Sequence, residues 1–220
     1  MTKADVRARI EEIGILPAIR VSSPDRARFA VEALHRSGIP LAEVTMTVPS
    51  GCDVIAQMRK LIPDMVIGAG TVLDVETAQR TLDAGAQFLT SPGFVPEVVE
   101  LALAKNVVVF PGAMTPSEVV TAWKAGSDFV KIFPCDQLGG AQYIRTLKRP
   151  FPNIPMIASG GVNQQTAVDF ILAGADVLGI GGQLVPHEAL TARNGAQIHE
   201  LARRFLEMVA EGRERRENVA

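Results

Sequence analysis

The chain repeats one short pattern where its helical segments end. Ala-Gly pairs close three of these segments, at residues 84–85, 125–126 and 173–174, and each pair is followed at once by a small residue and an apolar strand. Glycine often follows the last turn of a helix, because it adopts the left-handed backbone conformation without steric cost. The recurrence therefore predicts a fold built from repeated helix and strand units.

Eight apolar segments extend this pattern along the whole chain. We predict strands at residues 15–21, 41–48, 65–70, 87–90, 107–110, 128–133, 154–158 and 177–180. Helical segments separate these strands, and one more short helix, over residues 5–13, precedes the first of them. Strands that alternate with helices pair in parallel through crossover connections.

A single closed barrel accounts best for eight such units in 220 residues without a linker or a break in composition. We therefore predict an α/β fold, a single (β/α)8 TIM barrel with an extra N-terminal helix, in which residues 1–220 form one domain. The alternative is an open, doubly wound sheet. The chain contains neither GxGxxG nor GxxxxGK[ST], the nucleotide-binding motifs that would favour that alternative.

Composition argues against several classes of partner. Hydrophobic residues make up 47% of the chain and the net charge is -2, which is typical of a soluble globular protein. The most basic stretch, residues 213–217, alternates arginines with glutamates, so we expect no nucleic-acid binding. No apolar run approaches the ~20 residues of a membrane span, and the N-terminus lacks the apolar core of a signal peptide. We expect no membrane association and a cytoplasmic location.

The two cysteines, Cys52 and Cys135, are too few for a disulfide framework, and they lack the spacing of metal ligands. We therefore expect reduced thiols and no metal site.

One lysine lies inside a predicted strand. Lys131 is set in the apolar run from Phe129 to Pro134. An unpaired ammonium group costs several kcal/mol to bury, so this lysine is paired, lies at a solvated strand end, or is present for its amine. In the last case, the free amine of Lys131 could attack a ketone and form a Schiff base.

A carboxylate lies inside another predicted strand. Glu43, Thr45 and Thr47 alternate along the second strand and so share one of its faces. An inward-facing carboxylate in a barrel needs a partner. Two readings stay open: an ion pair between Glu43 and Lys131 that fills the core, or a general acid and base beside a Schiff-base lysine.

Glycine pairs follow the last two predicted strands. Gly160 and Gly161 end the seventh strand, before a helix predicted to start at residues 163–164, and Gly181 and Gly182 end the eighth. In this fold, glycines at these two strand ends commonly form a phosphate site, because backbone N–H groups can approach the anion closely. We therefore predict that these four glycines bind a phosphate.

With these residues identified, residues 15–186 resemble the 2-keto-3-deoxy-6-phosphogluconate (KDPG) aldolase family, which includes aldolases for 4-hydroxy-2-oxoglutarate (KHG) and for 2-keto-3-deoxy-6-phosphogalactonate. The matching motifs are residues 16–20, 43–45, 68–73, 91–93, 131–134 and 159–162. The resemblance implies a class I aldolase that uses no metal or other cofactor and assembles as a homotrimer. It implies Lys131 as the Schiff-base lysine and Glu43 as the general acid and base. It also implies that Thr71 lies beside the pyruvate carboxylate and that Pro92 and Phe133 pack around the imine.

Two positions depart from the family pattern. The gluconate branch usually has an arginine four residues after the glutamate, where it binds the pyruvyl end of the substrate. This chain has Thr47 at that position, and we expect Thr47 to contact the substrate there. Arg20 matches an arginine of the galactonate branch and could supply the missing positive charge. The loop after the eighth strand reads Gly-Gly-Gln instead of Gly-Gly-Ser, so a serine hydroxyl that the family places on the phosphate is absent.

The expected reaction is the reversible cleavage of KDPG, a 2-keto acid phosphate, to pyruvate and glyceraldehyde 3-phosphate. Alternatives within the family are cleavage of 4-hydroxy-2-oxoglutarate or of 2-keto-3-deoxy-6-phosphogalactonate. A more distant alternative is a barrel that binds a phosphorylated sugar without reacting with it, since a fold alone does not determine a function.

Overall fold

The structure, a computed structural model, describes residues 1–218 and consists of parallel strands surrounded by helices. The strands are β1 (Ile15–Ile19), β2 (Leu41–Thr45), β3 (Val66–Gly70), β4 (Phe88–Thr90), β5 (Val108–Phe110), β6 (Gly112–Ala113), β7 (Val130–Ile132), β8 (Met156–Ser159) and β9 (Val177–Ile180). The helices are α1 (Lys3–Ile13), α2 (Pro24–Arg36), α3 (Gly51–Leu61), α4 (Val75–Asp83), α5 (Pro96–Ala104), α6 (Pro116–Lys124), α7 (Ala141–Lys148), α8 (Ala167–Leu172), α9 (His187–Thr191) and α10 (Gly195–Glu217). Every strand pair is parallel, and β1 pairs with both β2 and β9.

The fifth barrel strand is divided into β5 and β6. β5 pairs with β4, whereas β6 pairs with β7. Pro111 lies between the two segments and has no backbone N–H, so it cannot donate to a ladder. Its carbonyl still accepts from the Lys131 backbone N–H at 3.0 Å. Residues 108–113 together therefore act as one barrel strand that closes the sheet, and the predicted (β/α)8 barrel is confirmed.

The N-terminal helix α1 covers one end of the barrel. The Lys3 Nζ atom is 3.0 Å from the Asp128 carboxylate just before β7, and the Arg7 guanidinium lies 5.5 Å from the centre of the Phe129 ring. Phe129 is in turn packed edge to face on Phe110, with ring centres 6.1 Å apart. These contacts fill the N-terminal end of the strands with apolar side chains, so the C-terminal end is where a ligand can enter.

The predicted helix ends are confirmed. Gly85, Gly126 and Gly174 all have positive φ angles, of 95°, 93° and 107°. A capping box opens α6, because the Thr115 hydroxyl accepts from the Glu118 backbone N–H and the Glu118 carboxylate accepts from the Thr115 N–H. Several boundaries differ from the prediction by one or two residues, and the largest differences are that β2 ends at Thr45, three residues early, and that α8 begins at residue 167. No helix within residues 1–218 combines the length and the apolar character that a bilayer crossing requires.

Candidate active site

Lys131 and Glu43 meet inside the barrel. Lys131 is the middle residue of β7 and Glu43 the middle residue of β2, and the Lys131 Nζ atom lies 3.7 Å from the Glu43 Oε2 atom. The two residues are only 8% and 2% exposed. This distance allows an electrostatic interaction but exceeds that of a hydrogen bond. The structure therefore brings together the two charged side chains that the sequence singled out.

Neither charged group is sealed in the core. Within residues 1–218, every fully buried side-chain nitrogen or oxygen atom has a hydrogen-bond partner. The Lys131 amine and the Glu43 carboxylate hydrogen-bond to no described residue, so their polar atoms keep some accessible surface. A ligand atom can therefore approach both groups from the same side, which an ion pair buried in the core would not permit.

The close packing of Glu43 depends on Gly70, the last residue of the neighbouring strand β3. A β-carbon added at Gly70 would lie 1.9 Å from the Glu43 Oε1 atom. The Glu43 side chain thus leans toward the C-terminal end of β3, across a space that only glycine leaves open. This contact directs the carboxylate toward the barrel mouth, where Lys131 is found.

Three further predicted residues lie at the same end of the barrel. The centre of the Phe133 ring is 5.8 Å from the Lys131 Nζ atom. Pro92 follows β4 in a tight loop in which the Ser91 hydroxyl donates to the Gly93 carbonyl at 2.6 Å. Thr71 follows β3 and has a φ angle of 58°, a conformation that β-branched residues rarely adopt. Such strain often marks residues that bind ligands.

The four predicted glycines line a cavity of about 380 Å³ at the ends of β1, β8 and β9. Ser159 also lines it. Lys131 pairs with Ile157 of β8, and Ser159 is two residues further along that strand. At roughly 3.3 Å per residue, Ser159 lies about 7 Å closer to the barrel mouth than Lys131 does. Phe133 borders both Lys131 and this cavity. The cavity thus continues outward from the lysine, as expected for the far end of an extended substrate.

Arg20 places a positive charge in the lining of this cavity, and the Asp136 side chain packs against Gly160 and Gly161. Arg20 follows β1 and lines the cavity together with His187 and Gln183. No aspartate or glutamate occurs among the described residues of its lining. Gly182 has no atom of another segment within 4 Å of its would-be β-carbon, so its backbone faces open space. The cavity is therefore suited to an anion.

The segment that follows β8 differs from the prediction. We predicted that a helix starts at residues 163–164, behind Gly160 and Gly161. Instead, the Thr166 hydroxyl donates to the Gly161 carbonyl at 2.8 Å and accepts from the Asn163 N–H at 3.0 Å. These bonds form a turn that delays α8 to residue 167. The helix N-terminus therefore does not lie directly behind the glycines, and an anion would contact the turn first.

Thr47 is separated from the other predicted residues. It lies in the turn after β2 and lines a different cavity, of about 530 Å³, which also contains Cys52 and Arg80. Its hydroxyl is 2.7 Å from that of Thr45, which donates to the Ile19 carbonyl. Thr47 and Arg20 therefore line different cavities, and only Arg20 lines the cavity that contains the glycines.

Sequence reasoning missed His187. This residue begins α9, lines the cavity, and lies 3.2 Å from an Arg26 guanidinium nitrogen through its Nε2 atom. The only sequence signal was its place shortly after the glycine loop of the last strand. Arg26 is 161 residues earlier in the chain, so no local pattern links the two.

Cys135 lies near the site but has an unreactive thiol. It is completely buried after β7, and burial raises the pKa of its thiol to about 12. Since the thiolate is the reactive form of cysteine, this residue is unsuited to be a nucleophile at neutral pH. Residues 1–218 contain no group of three or more histidine, cysteine, aspartate or glutamate side chains placed to hold a metal ion.

Comparison with known proteins identifies a group of similar chains. A family model described as KDPG and KHG aldolase matches residues 6–201. The chain is 33% identical to the 2-dehydro-3-deoxy-phosphogluconate aldolase of Treponema pallidum, over 91% of this chain and 95% of that protein. Its fold is similar to the native KDPGal structure, with a TM-score of 0.83, 29% identity, and coverage of 91% and 96%.

A KDPG aldolase from Legionella pneumophila is similar to the same extent. Its TM-score is 0.83 at 28% identity, over 90% of this chain and 96% of that one. In that crystal structure, pyruvate was captured at low pH as a covalent carbinolamine intermediate.

Proposed function

The chain belongs to the KDPG and KHG aldolase family, and on this premise we propose that it cleaves KDPG reversibly to pyruvate and glyceraldehyde 3-phosphate. It is thus a carbon–carbon lyase. The observation that carries the residue assignment is the 3.7 Å contact between the Lys131 Nζ and Glu43 Oε2 atoms at the open end of the barrel. An amine beside a carboxylate can form and use a Schiff base, because the carboxylate can exchange protons with groups next to the imine.

Lys131 would be the nucleophile. Its free amine attacks the C2 ketone of the substrate, and loss of water from the carbinolamine gives an iminium ion. The iminium then draws the electrons of the breaking C3–C4 bond, so the covalent intermediate itself serves as the electron sink. The remaining enamine takes a proton at C3, and water hydrolyses the imine to release pyruvate and regenerate Lys131.

Glu43 would move the protons. As the C3–C4 bond breaks, the carboxylate accepts the proton of the C4 hydroxyl, which becomes the carbonyl of glyceraldehyde 3-phosphate. Its 3.7 Å distance from the Lys131 Nζ atom supports this role, because the same carboxylate can also take the proton that the ammonium must lose before attack. One residue can thus serve both the formation of the imine and the cleavage step.

The remaining predicted residues would bind the two ends of the substrate. Thr71, Pro92 and Phe133 would hold the pyruvyl end, which is supported by their location at the barrel mouth and by the 5.8 Å distance between the Phe133 ring and Lys131. The glycine cavity would hold the phosphate, with Arg20 supplying the charge that Thr47 lacks. Support for the second assignment comes from the absence of carboxylates among the described residues of the cavity lining.

Two other substrates of the family are the principal alternatives. A cavity bordered by Arg20 and lying beyond the level of Lys131 favours a phosphorylated substrate over KHG, whose second carboxylate is closer to its ketone. Arg20 also matches an arginine of the galactonate branch, which keeps 2-keto-3-deoxy-6-phosphogalactonate as the alternative phosphorylated substrate.

Reductive trapping tests the assignment of Lys131. After incubation with pyruvate and borohydride, mass spectrometry should locate one covalent adduct on Lys131, and Lys131→Ala should lose both the adduct and cleavage. Lys148→Ala is a matched control, because that lysine donates to the Asp176 carboxylate at 2.9 Å, away from the barrel mouth. Cleavage at the normal rate by Lys131→Ala would refute the mechanism.

We also propose a homotrimer located in the cytoplasm. The free, unpaired state of Cys52 and Cys135 supports a reducing compartment. Leu73, two residues before α4, and Val75, the first residue of α4, are 56% and 42% exposed, which supports a contact with another subunit. Light scattering during size-exclusion chromatography should give three times the mass of one chain.

A further inference from the structure

His187 and Arg26 form an isolated polar pair at the rim of the glycine cavity. The Arg26 guanidinium nitrogen lies 3.2 Å from the His187 Nε2 atom. Among the described residues this is the only hydrogen bond of the Arg26 side chain, and no carboxylate lies within ion-pair distance of it. A contact between an arginine and a histidine gains no charge attraction, unlike one between an arginine and a carboxylate. Electrostatic stabilisation therefore does not explain why Arg26 lies beside His187.

The geometry of this pair fixes the proton on the imidazole ring. Arginine has five N–H donors and no acceptor, so the contact requires the His187 Nε2 atom to accept. In the neutral ring the other nitrogen, Nδ1, then carries the hydrogen and is a donor. Arg26 therefore makes His187 a donor at Nδ1, in a cavity that His187 itself lines.

The backbone of His187 is held in place by apolar anchors on both sides. Leu184 and Val185 are buried just before it, and both of their N–H groups donate to the Gly181 carbonyl. Leu190, one turn later in α9, is also buried and lines the cavity. The His187 side chain is itself exposed, but a donor whose backbone is anchored and whose ring contacts a second side chain loses less conformational freedom when a ligand binds.

From these observations we infer that His187 donates a hydrogen bond from Nδ1 to the terminal phosphate of the substrate, and that Arg26 is the positioning residue that selects this tautomer. This role rests on the proposed function and adds His187 and Arg26 to its phosphate site. His187 follows the second glycine pair by five residues and adds a side-chain donor to the same cavity lining. With Arg20 and the glycine amides, it gives three kinds of donor around one anion, which suits the three terminal oxygens of a phosphate monoester better than a carboxylate.

The first test compares two substrates in one variant. His187→Ala should lower kcat/KM for KDPG by roughly tenfold or more, the lower end of what a hydrogen bond to a charged group contributes, mainly through a higher KM. The loss for unphosphorylated KHG should be much smaller, so the preference for KDPG should fall. His187→Asn, whose amide can donate from nearly the position of Nδ1, should recover part of the loss and also covers the case in which the alanine variant folds poorly.

The second test asks whether Arg26 acts through His187. Arg26→Ala should lower kcat/KM for KDPG about threefold or more in the wild-type chain, but should have no further effect in His187→Ala. Equal effects in both backgrounds would mean that Arg26 acts by its charge alone and would overturn its positioning role. His199→Ala is the control, since this exposed histidine lies at a different cavity beside α10.

Two outcomes overturn the role of His187: an unchanged kcat/KM for KDPG in His187→Ala, or equal losses for KDPG and KHG. Failure of the underlying function gives a different result. In that case the wild-type chain itself would form no pyruvate adduct on Lys131 and would cleave neither substrate.

Discussion

A methyl group at Gly70 should disable the enzyme without unfolding it. The β-carbon of Gly70→Ala would lie 1.9 Å from the Glu43 Oε1 atom, whereas nonbonded heavy atoms need about 3.5 Å. The carboxylate must therefore move by ~1.5 Å, and a shift of ~1 Å in a reacting group can cost about 100-fold in rate. Gly70 is not among the glycines with a positive φ angle, so the backbone itself accepts alanine. We expect kcat to fall by about 100-fold with little change in Tm.

Steady-state cleavage of KDPG, followed by coupled detection of pyruvate, measures this effect. Glu43→Asp, which withdraws the carboxylate by one methylene, should be less damaging in the Gly70→Ala background than in the wild-type chain. Gly195→Ala is the matched control, because its β-carbon would meet only the Phe29 ring at 3.9 Å, an ordinary contact. A kcat for Gly70→Ala within about threefold of wild type would refute the idea that this glycine positions the carboxylate.

Five further predictions concern four residues. Glu43→Gln should slow turnover by roughly 10²- to 10⁴-fold while the reductive pyruvate adduct stays detectable, and a loss below about threefold would assign the carboxylate to structure. Arg20→Ala should lower kcat/KM for KDPG about tenfold or more at unchanged Tm, and wild-type kcat/KM would make it a surface residue. Thr71→Gly should relieve a left-handed conformation with a φ angle of 58°, raising Tm by about 2–4 °C while lowering kcat/KM at least tenfold; a lower Tm would contradict the strain. Burial raises the pKa of Cys135 from 9.0 to about 12, so iodoacetamide at pH 9 should label Cys52 first, as read by peptide mass spectrometry. Because the pKa of Cys135 is higher in the folded protein, its protonated thiol stabilises the fold fully below pH 9, and this stabilisation is lost as the pH rises toward 12. We therefore expect Tm to fall over this interval, and a rise in Tm would contradict the prediction.

The barrel and its charged pair could be predicted from the sequence because their signals are local. Periodic apolar segments and Ala-Gly helix ends indicate the repeated units, and a single charged residue in an apolar strand stands out wherever it occurs. Lys131 and Glu43 were found in this way. Once the strands are parallel and closed into a barrel, both side chains are confined to its interior.

The features that were missed depend on contacts between distant segments. The division of the fifth strand reflects its pairing with β4 before Pro111 and with β7 after it, which is not visible in residues 107–110 alone. The pairing of His187 with Arg26 likewise joins segments 161 residues apart. The late start of α8, in contrast, has a local cause. The side chains of Asn163 and Thr166 compete with the helix for backbone hydrogen bonds, so the sequence did contain a signal against a helix start at residues 163–164.

The divided fifth strand splits the chemistry between two half-barrels. The strands β1–β5 carry Glu43, whereas β6–β9 carry Lys131 and lead into both glycine turns. The halves meet at the β1–β9 pairing and at the seam around Pro111. Neither half holds both the nucleophile and the group that moves its protons. Turnover therefore depends on both contacts between the halves, the β1–β9 pairing and the seam around Pro111.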